Sequence, residues 1–401
     1  MARVRGKIAA AARMLAIAAL CAMLIGPWAA AQAQETLPPY ASRMSRGQRI
    51  LSNLTVFHNL LIWPVDRTIS VCFFPDQQIY RQLVVDGARR GEAAANIHFD
   101  PGAPPWYRTC DKDSQSGIRV QLLNRHPRFA AGSSALGTMA LQRSASQPTL
   151  VIATQSRNDG SPLRRGDLER TILHELGHAL GLPHEHQHPS SRCIADIDLE
   201  AICTARPAAG VDPRRAAEFR QQLAAIYQSQ PRRLDPVPVW DVPYDVASIM
   251  HYPFPPQYLR NGSRSSCVTG RSQGLSEGDL RRVALLYPRS KNEQDAFLLQ
   301  QVAVFQRTIK ALGVSAGTAA EMARFVRQNL HPDHQAIRLQ IGAMPSDLPT
   351  NASPHEEELA NLLLPPLPAA CKGAALPLLA PKPEALPETR PTPFPRPPPM
   401  K

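Results

Sequence analysis

His174, Glu175, His178, Gly181 and His184 fall in the pattern HExxHxxGxxH without a gap. Histidines four apart lie on one face of a helix, so two imidazoles can reach a single ion, and neutral imidazole is a good zinc ligand. Gly181 lets the helix stop and the backbone turn through positive φ, which brings His184 round as a third ligand. Three protein ligands leave one coordination place for water. Zinc makes such water acidic near neutral pH, and Glu175, beside the first ligand, is placed to take its proton. In a chain of this composition HExxH alone would arise by chance about one time in a hundred, and the glycine and third histidine lower that to roughly a few in a hundred thousand. The pattern therefore reads as one catalytic zinc ion and metal-dependent hydrolysis, not as incidental surface histidines.

Around the motif, Asp167 to Gly181 carries Leu168, Ile172, Leu173, Leu176, Ala179 and Leu180 as an apolar helical face, with Asp167 as N-cap and Gly181 as the stop. Upstream, Ile69, Val71 and Phe73 alternate between Arg67 and Phe74, which predicts a strand, and Gln77 to Ala95 has helical spacing. Gly117 to Leu123 and Thr149 to Thr154 read as further strands, separated by a Gly- and Ser-containing stretch from Gly132 to Gly137. Downstream, Ser276 and Asp279 have capping-box spacing and open a helix whose buried stripe is Leu280, Val283 and Tyr287. The main domain is predicted to end near Pro288. Glu293 to Leu330 reads as amphipathic helix, and the Pro-rich chain from Leu364 reads as an extended, solvated tail.

Arg3, Arg5, Lys7 and Arg13 lead into an apolar run from Met14 to Ala31, followed by small residues at Ala31 and Ala33, which is the plan of a secretory signal cleaved near Ala33. Pro27 and the short run argue against a permanent span, so no stable membrane insertion is expected after cleavage. Cleavage would leave the formal charge four units below the chain's +12, and no arginine cluster is interleaved with aromatics as a nucleic-acid surface would be. Loss of Cys21 leaves an even set, Cys72, Cys110, Cys193, Cys203, Cys267 and Cys371, which in an exported chain points to disulfides and a secreted or periplasmic location. Cys193 with Cys203 is the most local pairing and Cys72 with Cys110 the next; the spacing leaves the full connectivity open.

The extended histidine motif resembles that of the metzincin metalloproteases. Pro183, His184, Glu185, His186 and Gln187 look like the astacin family, in which a glutamate follows the third histidine, and Ser248, Ile249, Met250, His251 and Tyr252 resemble its Met-turn, SxMHY. The resemblance spans roughly Thr68 to Pro288. It implies an α+β, metzincin-like fold: a mixed twisted sheet, a zinc-binding active-site helix, and a smaller, mostly irregular C-terminal subdomain holding Asp245 and His251. It implies that Met250 floors the metal and that Tyr252 is a displaceable ligand that stabilises the oxyanion. It also implies that an edge strand near Ser134 to Ala140 binds extended peptide substrate.

The organisation expected is therefore a signal peptide at 1–33, an N-terminal segment at 34–66, a zinc metalloprotease domain at 67–288, a helical extension at 289–345 and a Pro-rich tail at 346–401. The function expected is an exported zinc endopeptidase acting on a peptide or protein. A zinc amidase for cell-wall peptide or a small molecule, and a non-catalytic peptide-binding module on the same fold, are the alternatives. The oligomeric state has no signature in the sequence.

Overall fold

The strands are built from apolar and β-branched runs. The first, β1 (Thr68–Phe73), buries Ile69, Val71, Cys72 and Phe73; β3 (Gly117–Leu123) and β5 (Leu150–Ala153) are buried almost throughout, as strands covered on both faces must be. With β2 (His98–Asp100) and β4 (Gly132–Ser134) they form one sheet in the order β2-β1-β3-β5-β4. The first four of these neighbours run parallel, and β4 pairs antiparallel with β5 at the edge, Ser133 opposite Val151. This computed structural model describes residues 45–361 apart from 52–53, 76, 106, 112–116, 126–130, 157–159, 189, 199–200, 202–241, 271, 273 and 344. The signal segment and the Pro-rich tail from Leu364 lie outside the described residues.

A 3₁₀ turn (Gln78–Tyr80) leads into α3 (Arg81–Glu92), which crosses the motif helix α4 (Arg165–Ala179) at close range. A methyl group on Gly87 would meet Ile172 at 2.9 Å, so that crossing requires glycine. The expected helix start needs correction: Arg164 occupies the N-cap without a side-chain bond, and Asp167 sits inside the first turn, where its carboxylate faces the positive end of the helix dipole. After β4, a 3₁₀ segment (Gly137–Gln142) occupies much of the range in which the sequence placed an edge strand, so the edge itself is shorter and lies at 132–134. Arg119, fully buried in β3, donates to the carbonyls of Ala140, Arg143 and Gln147 and so braces the loop that follows the edge.

Two further expectations change. Cys72 bonds Cys110, as the second pairing anticipated, but Cys193, which opens the short helix α5 (Cys193–Asp196), bonds Cys267 and not Cys203. The helical stretch after Pro288 is broken: α7 (Lys291–Leu312) ends at Gly313 in the left-handed region (φ 63°), and α8 (Ala316–Asn329) begins anew with Ser315 as its cap.

Apolar contact crosses three of the boundaries drawn from the sequence, those after 66, after 288 and after 345. Two short helices, α1 (Arg46–Leu51) and α2 (Thr55–Leu60), bury Ile50, Leu51, Leu54, Val56, Phe57 and Leu60 in the same cluster as the sheet. Helix α7 packs on α2; α8 packs on α1 and on α9 (Gln335–Gly342); α10 (Pro354–Asn361) returns to α1. Glu356 of α10 accepts from the Ser315 amide and the Thr318 hydroxyl at the start of α8. Segment 46–66 and the helices beyond 288 are therefore part of the core, because the N-terminal segment is too apolar to stay solvated.

Candidate metal centre

One helical turn separates His174 from His178, and their rings meet edge to face with centroids 4.8 Å apart. Helix α4 then stops by a double backbone closure: Gly181 N donates to His178 O at 2.8 Å and Leu182 N to Gly177 O at 2.9 Å, with Gly181 at φ 90°. Only glycine takes that conformation without strain. The chain leaves the turn toward His184, whose Nε2 lies 3.0 Å from His178 Nε2, and one nitrogen from each of the three histidines falls within 4.8 Å of the others.

The tautomers are set from outside. His174 Nδ1 donates to Ile249 O at 2.8 Å and His178 Nδ1 to Leu182 O at 2.7 Å; a carbonyl can only accept, so each Nε2 turns a lone pair inward. Burial keeps all three imidazoles neutral, lowering His174 to about 4, His178 to about 3 and His184 well below the usual value. Two neutral imidazoles aiming lone pairs at one point, with a third beside them, make a donor set that fits one zinc ion.

The loop beneath is anchored at α6 (Glu277–Leu286). Ser276 and Asp279 form the expected capping box. The same Asp279 carboxylate accepts from Ser248 Oγ at 2.6 Å and from Ile249 N at 2.8 Å, which holds the carbonyl that orients His174. Met250 lies under the helix so tightly that a methyl group on Gly177 would fall 2.4 Å from its sulfur. The Tyr252 ring sits 4.2 Å from that of His184 and 5.9 Å from that of His174.

Glu175 is 6 % exposed, and burial pushes its carboxyl up to about 8. Its Oε2 has no hydrogen-bond partner, while Gly132 of the edge strand lies against Oε1. An orphaned carboxylate oxygen beside three converging imidazoles fits a site that takes polar reactants. Glu185, also buried and raised to about 7 by desolvation, accepts from Asp245 N at 2.8 Å and ties the third ligand's turn to the Met250 loop.

Two residues passed over in the sequence stand close to the site. His186 is fully buried and stacks on Tyr252 at 4.7 Å. The His58 imidazole is lowered to about 4 by burial and then by Arg282 and His178, which places it near the triad from the N-terminal segment. The apolar run from Leu54 to Trp63 was the sequence signal for the second.

Sheet, helix and triad together resemble those of the astacin-like zinc metalloproteases. Two of the relatives it resembles are named zinc metalloproteinases: zinc metalloproteinase nas-5 of Caenorhabditis elegans is 24 % identical over 148 residues, covering 35 % of this chain and 35 % of the relative. Zinc metalloproteinase nas-39 of the same organism is 29 % identical over 125 residues, covering 29 % of this chain and 11 % of the relative. Nematocyst expressed protein 6 of Nematostella vectensis is 29 % identical over 126 residues, covering 29 % of this chain and 36 % of the relative. The matches thus span little more than a third of these relatives, at most 36 %. Among solved structures, myroilysin is 26 % identical, covering 57 % of this chain and 86 % of its own, with a TM-score of 0.39. High choriolytic enzyme 1, a hatching enzyme zinc-protease from Oryzias latipes, is 18 % identical, covering 55 % and 88 %, with a TM-score of 0.31. No family model matches the chain.

Proposed function

We propose that this chain is an exported zinc-dependent endopeptidase that cuts peptide bonds in extracytoplasmic peptides or proteins. His174, His178 and His184 would hold the ion, which when bound supplies a Lewis acid to polarise the scissile carbonyl and acidify water. Glu175 takes the proton of the attacking water and passes it to the leaving amine; the burial that raises its proton affinity suits it to both tasks. Tyr252, half-buried beside His184, donates its hydroxyl to the developing oxyanion. Strand β4 offers its outer edge to an extended peptide, whose backbone would continue the sheet past Gly132 and bring a scissile bond to Glu175.

The unpartnered Glu175 oxygen next to the triad is the observation that carries this reading. Export is supported by two disulfides and by the signal pattern ending near Ala33. Metal analysis and digestion of a peptide library test the proposal together. About one zinc per chain is expected, with internal cleavage that stops on chelation, and with Glu175→Ala keeping zinc but losing cleavage. Bound zinc without any internal cleavage would favour an amidase or a binding module instead, and cleavage persisting in Glu175→Ala would falsify the assigned base.

A further inference from the structure

The C-terminal end of α4 is held from outside the histidine motif. The Trp63 indole donates from Nε1 to Ala179 O at 2.8 Å. The Tyr287 hydroxyl donates to Leu180 O at 2.9 Å while accepting from Trp63 N at 3.4 Å. These carbonyls are among those a helix cannot satisfy for itself, and both donor side chains are almost wholly buried. Immediately beyond lie Gly181, packed on Ile62 and the Leu61 carbonyl, then Leu182, whose carbonyl accepts from His178, then His184. Moving this turn would displace an acceptor that orients one imidazole and, with it, a second imidazole.

Trp63 is held in its turn by the helices beyond Tyr287. Gln294, fully buried in α7, donates from Nε2 to Trp63 O at 2.9 Å and Leu286 O at 3.0 Å, and accepts from Val65 N at 3.0 Å. His334, just before α9, donates from Nε2 to Ile62 O at 3.3 Å. Apolar packing tolerates small slips along a helix; buried hydrogen bonds do not, since each slip would orphan a polar group.

We infer that α7 and the turn at His334 are positioning elements of the metal centre, which act through the 62–65 backbone, Trp63 and Tyr287 to fix the turn that supplies Leu182 O and His184. The inference rests on the reading that the triad binds zinc. On this basis α7 and the turn at His334 are part of the site's scaffold, and their contribution reaches the metal without touching substrate.

The test uses the full chain and reads the metal, not turnover. Zinc affinity is measured by chelator competition and ligand geometry by the absorption spectrum of the cobalt-substituted protein, for wild type, Tyr287→Phe, Gln294→Met and a control, Val326→Ala. Val326 is buried in α8, away from this hydrogen-bond chain, so its truncation lowers stability generally. Tyr287→Phe keeps the ring and its packing, and Gln294→Met keeps the volume, so each removes polar contacts alone. Both are expected to weaken zinc binding about tenfold and to alter the cobalt spectrum, whereas Val326→Ala leaves both readouts at wild type. Wild-type affinity and spectrum in Tyr287→Phe or in Gln294→Met, or an equal change in Val326→Ala, would overturn the inference while leaving zinc binding intact. A wild-type chain that binds no zinc would overturn the reading of the triad and this inference with it.

Discussion

Gly132 of the edge strand lies against the Glu175 side chain: a methyl group on its α-carbon would come within 2.9 Å of Cγ and Oε1 and 3.0 Å of Val151 O. The Glu175 carboxylate is thus positioned by a strand as well as by its own helix. Val151 O belongs to the neighbouring strand and cannot yield, so the carboxylate must. Gly132→Ala is expected to lower kcat about tenfold to a hundredfold, the scale on which small misplacements act, with zinc content unchanged. Steady-state kinetics with metal analysis checks this, and a variant as active as wild type would mean that Glu175 has room to spare.

The Tyr252 ring lies beside the triad, 4.2 Å from that of His184. Tyr252→Phe keeps the ring that stacks on His186 and removes only the hydroxyl. A loss of about a hundredfold to a thousandfold in kcat with little change in KM is expected, as for removal of one oxyanion donor. A rise in KM at constant kcat would place the hydroxyl in substrate binding instead.

The histidine cluster was legible because its geometry is local. Helical spacing set His174 beside His178, and Gly181 announced the turn that delivers His184; Met250 and Tyr252 followed from a second short motif. Strands β1, β3 and β5 were legible for the same reason, since alternation and continuous apolar runs are properties of neighbours. What escaped is contact between distant residues. Trp63 meets Ala179 across 116 positions and Tyr287 meets Leu180 across 107, and no local pattern in either pair signals the other. The amphipathic stripe likewise ran on through Gly313, because Val314 and Ala319 resume it in α8 after the break. Ser315, which caps α8, was the available cue.

The bond between Cys193 and Cys267 closes a span of 74 positions and anchors the region beneath the site, where Tyr244 donates to His251 at 2.8 Å. Proximity in sequence favoured Cys203, but loop closure costs only logarithmically more for a longer span, so distance was a weak guide. Replacing both cysteines by alanine is expected to lower stability by about 4 kcal/mol, the chain-entropy value for a loop of this size. Denaturant titration of the double variant measures it, and an unmoved midpoint would show that this crosslink contributes nothing to stability.

Burial holds His334 down at about 4, with His331 adding to the effect, Ile62 O and Asp295 opposing it, and Lys291 adding least. It is therefore neutral in the folded chain, while in the unfolded chain it takes up a proton near 6.5. Between these values the unfolded state binds more protons, so stability is full above the unfolded value and is lost as pH falls from 6.5 toward 4. His334→Gln retains an amide donor for Ile62 O without a titrating group. Between about pH 7 and about pH 4.5, wild type is expected to lose on the order of 2 kcal/mol more stability than this variant. Denaturant unfolding at both pH values gives the comparison, in which the acid response of every other buried histidine cancels. Parallel losses in the two proteins would show that His334 does not resist protonation, and hence that its contact with Ile62 O is open to water.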